Sequence, residues 1–431
     1  MMEDSEKREK NIIKQRMIYY GKEIKRDMFN LVKWLIIATI VGFLIGGISA
    51  IFSYTLSGVT QCRQNYDWLF YMLPLAGVFI VFLYDNMGKN DGGTNQVFST
   101  VRAKDEVPIL SAPLIFLATT LTHLTGGSAG REGAAVQLGG SIANQLGRWM
   151  HLDEEDKHVI VMCGMSAAFA ALFGTPMAAT IFSMEVVSVG VMYYTALMPC
   201  MLSALIAAGY AASLGIHPEA FHVQEIPPMG LETGTKIIIL ALGCAVVSIL
   251  FCIMLKSVGN FYNRFLKNKY IRIIAASFLI IGITLLLGTE DYMGAGTELI
   301  QRAVEYGEAK PTAFIWKMLL TAITMKAGFR GGEIVPSFCI GATFGCIMGQ
   351  ILGISPSICA ATGMAAVFCG VTNCPITSML IAFELFGFEG VSYYVLAIAI
   401  SYAASGYYGL YKDQTIVYSK YKAKYVNQHT K

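Results

Sequence analysis

Runs of apolar residues dominate the chain and set its first reading. Residues 31–51, 69–84, 238–255, 274–287 and 393–404 with its flanks hold a single charged side chain, Lys33, among them, and about 20 such residues span a bilayer as one helix. Other apolar stretches fall short of that length and are interrupted by Pro and Gly, as at Pro176, Pro336 and Pro375. They predict broken or tilted helices, because non-helical backbone at membrane depth survives only where protein or a water-filled cavity meets its polar groups. So many breaks point to a transport path rather than an anchor. The expected fold is an all-α integral membrane bundle.

Composition agrees with the pattern. Of 431 residues, 55% are hydrophobic and 14% charged, where soluble domains carry about a quarter charged residues. The first 27 residues hold eight Lys or Arg and six acids. That is unlike a cleavable signal, which couples a short basic start directly to an apolar core, and it predicts a polar lead-in helix. The ten cysteines are scattered through apolar runs with no CxxC pair, as small buried hydrophobes would be. No metal-ligand spacing or cofactor motif occurs, so no cofactor is expected. A net charge of +3 offers no reason to expect nucleic acid.

Two stretches resemble each other: GMSAAFAALFGTPMAATIFSMEV from Gly164 and GMAAVFCGVTNCPITSMLIAFEL from Gly363. In each, Pro follows the first Gly by twelve residues and Glu follows Pro by nine, so Pro176 and Glu185 recur 199 residues later as Pro375 and Glu384. This is an internal duplication, the usual build of membrane transporters. Loop charges orient the halves. The basic N-terminus and the loop 256–272, with five bases and no acid, are expected in the cytoplasm, and 216–235, with three Glu and no base, outside. The tail, with Lys412, Lys420, Lys422 and Lys424 against Asp413, returns inside. Each half then crosses an odd number of times, so the repeats are inverted about an axis in the membrane plane. The expected division is a cytoplasmic segment 1–27, a first repeat 28–215, an external linker 216–235, a second repeat 236–411 and a cytoplasmic tail 412–431.

KNDGGTNQVF near residue 90, GREGAAVQ near 132 and GGEIVPSF near 332 each read as a flexible Gly segment opening into an apolar helix. Unpaired backbone N–H groups at a helix start carry about half a positive charge and attract anions. Two repeats aiming such ends at the midplane make an anion site without a cation. GGSAGREG is no phosphate loop, since no Gly-Lys-Ser/Thr follows. Glu132 is then a carboxylate beside an anion site. Ionised, it would occupy the positive helix ends itself; protonated, it would leave room for the substrate, so one residue would couple a proton to an anion. The plainer alternative is a structural Arg131–Glu132 pair.

At these residues the chain resembles the CLC family of chloride channels and proton-coupled anion exchangers. GREGAAVQLGG is similar to the family's gating motif, GGEIVP to its anion-binding turn, and IVYS, 416–419, to the C-terminal stretch whose Tyr contacts the central anion. The resemblance runs from about residue 30 to 425. It implies a CLC-type inverted-repeat bundle in the plasma membrane with both termini cytoplasmic, and a homodimer with one pore per subunit. It makes Glu132 the gating glutamate, Ile334 and Val335 amide donors, and Tyr418 the tyrosine. With Thr94, Asn95, Gln96, Arg131 and Gly133 these form the expected anion site, fluoride or chloride and protons being the partners, with membrane lipid around them.

The departures matter. The chloride branch has a Gly-Ser-Gly-Ile-Pro stretch whose Ser contacts the ion; here Gly93-Thr94-Asn95-Gln96-Val97 stands there. Where many exchangers place a proton-transfer Glu this chain has Val186, with Glu185 one place earlier and read as a helix cap or packing residue. GFRGGEIVP and the Ala after GREG resemble the fluoride-exporting branch, although Val335 stands where that branch usually offers Thr. A small, strongly hydrated anion demands close donors, and Asn95 and Gln96 add amide N–H groups. Thr94 or Asn95 could instead cap the next helix. The reading is a fluoride/proton antiporter, the alternative a chloride/proton exchanger or passive chloride channel of the same fold. An intramembrane hydrolase is disfavoured because no HExxH or GxSxG occurs. His123 reads as a hydrogen-bonded structural residue, and among the crowded Tyr407, Tyr408, Tyr411 and Tyr418, Tyr411 is the substitute should Tyr418 prove to be packing.

Overall fold

The computed structural model describes residues 2–88, 92–102 and 107–431, with side chains from Ile13 onward. Among the described residues sixteen α-helices form the body: α1 Met2–Asn65, α2 Leu73–Met87, α3 Thr94–Arg102, α4 Ser111–Leu124, α5 Glu132–Trp149, α6 Glu154–Phe173, α7 Pro176–Glu185, α8 Leu197–Ser213, α9 Leu231–Phe265, α10 Lys269–Leu287, α11 Thr297–Glu305, α12 Ala313–Ala327, α13 Ile334–Leu352, α14 Pro356–Thr372, α15 Pro375–Phe386 and α16 Val391–Ala404. Seven spans among the described residues are long and apolar enough to cross a membrane. Helices α4, α14, α15 and α16 are apolar but shorter; of the predicted interruptions Pro176 and Pro375 open the short helices α7 and α15, whereas Pro336 sits in the first turn of the full-length span α13.

The duplication is visible as repeated packing. A Cβ on Gly139 of α5 would overlap the carbonyl oxygen of Gly164 on α6, and in the second half one on Gly341 of α13 would overlap that of Gly363 on α14. Small residues let the helix backbones approach where lipid offers no hydrophobic drive to pair them. Both inner helices also end alike. Gly174 after α6 and Asn373 after α14 hold φ of 75° and 60°, the left-handed cap that Gly and Asn tolerate. Each is followed by a residue and then Pro at the start of a new helix, α7 or α15, where the missing proline N–H costs nothing.

These two short helices bind one another reciprocally. Glu185 accepts from the amides of Ile376 and Thr377, 3.2 and 2.9 Å, and from the Thr377 hydroxyl at 2.6 Å. Glu384 accepts from the amides of Met177 and Ala178, both at 2.9 Å. Each helix therefore ends on a carboxylate that caps the start of the other, which is what a two-fold relation between the halves requires. Glu185 is the helix cap expected from the sequence, its partner lying on the other repeat.

Three elements lie across or within the segments of the expected division. α1 runs unbroken across residue 27, largely exposed from Ile13 and with its burial beginning near Ile37. α9 starts at Leu231, inside the expected linker. The tail is no loose end. Thr415–Tyr418 and Tyr425–His429 are strands β2 and β3; β2 pairs in parallel with β1, Ser188–Val189, and antiparallel with β3. The Gln414 amide donates to the carbonyls of Val186 and Thr372 at 2.8 and 2.7 Å, fastening this sheet to the ends of α7 and α14. The ten cysteines are free thiols, nine of them buried.

Candidate functional site: three helix ends around a buried glutamate

The two glycine turns meet. Gly130 and Gly332 form an isolated antiparallel bridge, each amide donating to the other's carbonyl at 2.8 Å. Only glycine permits this approach: a Cβ on Gly133 would lie 2.8 Å from the Gly332 Cα, and one on Gly332 only 2.6 Å from the Gly133 nitrogen. The bridge sets the start of α5 against the start of α13. The third helix end joins through Thr94 at the head of α3, whose hydroxyl donates to the Gly133 carbonyl at 3.4 Å. The first amides of a helix have no intrahelical acceptor. In α5 the first turn closes with the Ala135 amide on the Arg131 carbonyl, and in α13 with Ser337 on Glu333. Pro336 has no N–H, so the amides of Ile334 and Val335 are the donors α13 offers, and both residues are buried. The Asn95 Oδ1 is buried without a hydrogen-bond partner among the described residues.

Glu132 opens α5 and is 1% exposed. Its carboxylate accepts from the Arg131 amide at 3.1 Å and from Arg131 Nε at 3.3 Å. The other end of that guanidinium reaches Glu219 at 2.7 Å, 88 residues away in the segment between α8 and α9. Arg131 and Glu219 line a cavity of 670 Å³. Arg63, in an ion pair with Glu290 at 2.8 Å, forms another wall. His123 lines it too, its Nδ1 at 2.9 Å from the Thr119 carbonyl and its Nε2 without a partner among the described residues. At the mouth, burial pushes the Asp291 carboxyl up, but hydrogen bonds from Arg302, Lys310 and Thr289 outweigh it and hold the group below the usual carboxylate range. This vestibule lies against the loops before α9 and α11 and reaches Arg131, the residue before Glu132.

The structure brings Thr94, Asn95, Gln96, Glu132, Gly133, Ile334 and Val335 to the starts of the three helices, as the motifs predict. Two residues of the expected anion site are held by other partners. Tyr418 lies at the end of β2, half exposed and paired with Tyr425, so its hydroxyl belongs to the tail sheet. Tyr411 is 4% exposed, packs edge-on against Phe98 of α3 with ring centroids 4.8 Å apart, and lies within electrostatic range of Glu333. Arg131 is held by Glu132 and Glu219 on the vestibule side rather than pointed among the helix ends, because two carboxylates compete for its guanidinium. Lys89, Asn90 and Asp91, which begin the stretch ahead of α3, lie outside the described residues. Glu333 was not singled out in the sequence; it ends the glycine turn and has Lys326 Nζ at 3.8 Å. Its place next to the double glycine was the available signal.

Comparison with known proteins agrees with this geometry. Residues 76–406 match the profile of the family described as voltage gated chloride channel. A "Chloride/fluoride channel protein" of Pseudomonas syringae pv. tomato is 34% identical over 397 residues, covering 90% of this chain and 88% of that one. The crystal structure of a CLC-type fluoride/proton antiporter superposes with a TM-score of 0.86 at 31% identity, covering 90% of this chain and 98% of the other. A slow cyanobacterial Cl-/H+ antiporter shares the fold at a TM-score of 0.76 and 19% identity, over 86% of this chain and 94% of its own.

Proposed function

The chain belongs to the voltage-gated chloride channel, or CLC, family, and from that membership we propose that it is a fluoride/proton antiporter, exporting F- in exchange for H+, with Glu132 as the gating and proton-coupling group. It is an ion transporter of the membrane rather than an enzyme. The observation that carries the finer reading is the Gly130–Gly332 bridge, which puts the starts of α5 and α13 face to face beside a buried carboxylate.

Ionised Glu132 competes with a substrate anion for the same positive helix ends. Protonated, it gives them up. Its carboxylate accepts from the backbone amide and from the side chain of Arg131, so withdrawal toward the vestibule breaks one backbone and one side-chain contact. Ile334 and Val335 donate from α13, Gly133 from α5, and Thr94, Asn95 and Gln96 from α3. Tyr411 takes the place that Tyr418 was expected to hold. Fluoride is favoured over chloride because Asn95 offers a carboxamide at a helix end where the chloride branch has a hydroxyl, and because both relatives above 30% identity carry fluoride in their names. The end of α7 supports the same branch: Val186 is fully buried and cannot titrate, and Glu185 is committed to capping α15.

The reading includes a multi-pass arrangement in the plasma membrane with both termini and the α9–α10 loop cytoplasmic, lipid against exposed apolar side chains such as Phe278 and Leu286 on α10, and assembly as a homodimer. Proteoliposomes loaded with fluoride or chloride, with external pH recorded, test it. Faster fluoride efflux with proton uptake is expected. Equal or faster chloride efflux would transfer the assignment to a chloride exchanger and leave Glu132 its role.

A further inference from the structure

A second cavity lies at the opposite end of α10 from the vestibule. It measures 270 Å³, room for about nine waters at ~30 Å³ each. Lys269, the first residue of α10, borders it, whereas the loop that follows α10 borders the vestibule. The two openings therefore sit on opposite faces of the protein.

The walls are basic. Lys269, Arg272 and Arg330 face Asp85, the sole acid among the lining residues. Lys269 and Asp85 pair at 2.6 Å, which leaves the charge of two arginines. Arg272 donates its Nε to the Ala327 carbonyl at 3.2 Å and lies near Asn263, partners that orient it without neutralising it. The Arg330 guanidinium lies 4.0 Å over the ring of Tyr84. Its Nε is buried and has no hydrogen-bond partner among the described residues. A buried guanidinium N–H without an acceptor is costly, and an anion would satisfy it.

The same side chain reaches the helix ends. Arg330 Nη1 lies 3.5 Å from the point where a Cβ would stand on Gly93, immediately before α3. Gly328, with φ of 125°, turns the chain out of α12 and aims Arg330 there. One guanidinium thus touches both the cavity and the start of the helix that carries Thr94 and Asn95.

We propose that this cavity, between α2, α10 and the turn after α12, is an anion-recruiting site: a small inorganic anion is held between Arg272 and Arg330 and passed along Arg330 to the start of α3. The proposal rests on the anion-transport reading above and places recruitment on the face of the α9–α10 loop. Capture rests on these two guanidinium groups and not on the proton that Glu132 handles. Stacking on Tyr84 holds the planar group in place, which a lysine could not match.

The test uses the full chain, with sodium fluoride as the probe. Fluoride efflux from proteoliposomes is measured against lumenal fluoride for the unmodified protein, Arg272→Gln, Arg330→Gln and Lys267→Gln, the last an exposed cation outside the cavity. Loss of a focusing charge should raise the half-saturating fluoride about fivefold in each arginine variant, with the saturating rate retained. The shift should shrink when an impermeant salt raises ionic strength toward ~1 M, where charges are screened within about 3 Å. Lys267→Gln should leave the curve in place. Arg330→Gln risks disturbing the turn, so Arg272→Gln, with an unchanged melting curve, decides the matter. An unshifted half-saturation in that variant, or an equal shift in Lys267→Gln, overturns the proposal. If the unmodified protein carries no anion, it is the transport reading that fails.

Discussion

Glu132 and Glu185 are both buried, at 1% and 5% exposure, and both sit at a helix end, yet their surroundings give them opposite freedoms. Glu185 takes three donors from one rigid element, the start of α15. Removing it would leave two amides and a hydroxyl in the core without acceptors. Glu132 accepts one bond from the Arg131 backbone amide and one from the Arg131 guanidinium, which also reaches Glu219. Burial is common to both carboxylates, so it distinguishes nothing. What separates the two here is that every donor to Glu185 belongs to the start of α15 on the other repeat, whereas one of the donors to Glu132 is a side chain that can move with it.

Two substitutions break that comparison apart, and the functional one is the larger. Glu132→Gln keeps shape and removes the titrating charge, so fluoride-driven proton uptake by vesicles should fall to the empty-vesicle level while anion binding survives. Proton coupling at the wild-type rate would defeat the gating role. Glu185→Ala acts on stability instead. Hydrogen bonds to a charged group are worth about 1.5–3 kcal/mol, and the amides left behind are desolvated, so a loss of about 3 kcal/mol is expected in detergent unfolding. Glu132→Gln should cost less than about 1 kcal/mol in the same measurement, and comparable losses would show that both carboxylates are structural.

The internal duplication was legible because Pro, Gly and Glu act locally: Pro176 and Pro375 begin helices wherever they stand, and the spacing to Glu185 and Glu384 repeats. The glycine turns were legible for the same reason. Partnerships across the fold were not. Nothing near Arg131 in sequence points to Glu219, and nothing in the charged tail points to its pairing with Ser188 and Val189. Asn95 lies between these cases, named from its motif and left with an unpartnered Oδ1 at the head of α3. Asn95→Leu should lower the fluoride-over-chloride efflux ratio about tenfold, since losing one good polar contact to a strongly hydrated ion is worth about 1.4 kcal/mol. An unaltered ratio would move selectivity to the backbone donors of α13.

The tyrosines give the finest contrast. Four of them fall within residues 407–418, and composition cannot say which one faces the pore. Pairing separates them: β2 carries Tyr418 outward to an edge-on contact with Tyr425, while the turn before β2 buries Tyr411 against Phe98, one helical turn below Thr94 and Asn95 on α3. A hydroxyl that donates to an anion contributes about 1 kcal/mol, so Tyr411→Phe should weaken fluoride binding about fivefold by calorimetry with the ring packing intact. Tyr418→Phe should leave affinity unchanged. The reverse result, a loss at Tyr418 and none at Tyr411, would mean that the tail sheet rearranges when the anion binds and that the C-terminal strand, rather than the turn before it, closes the site.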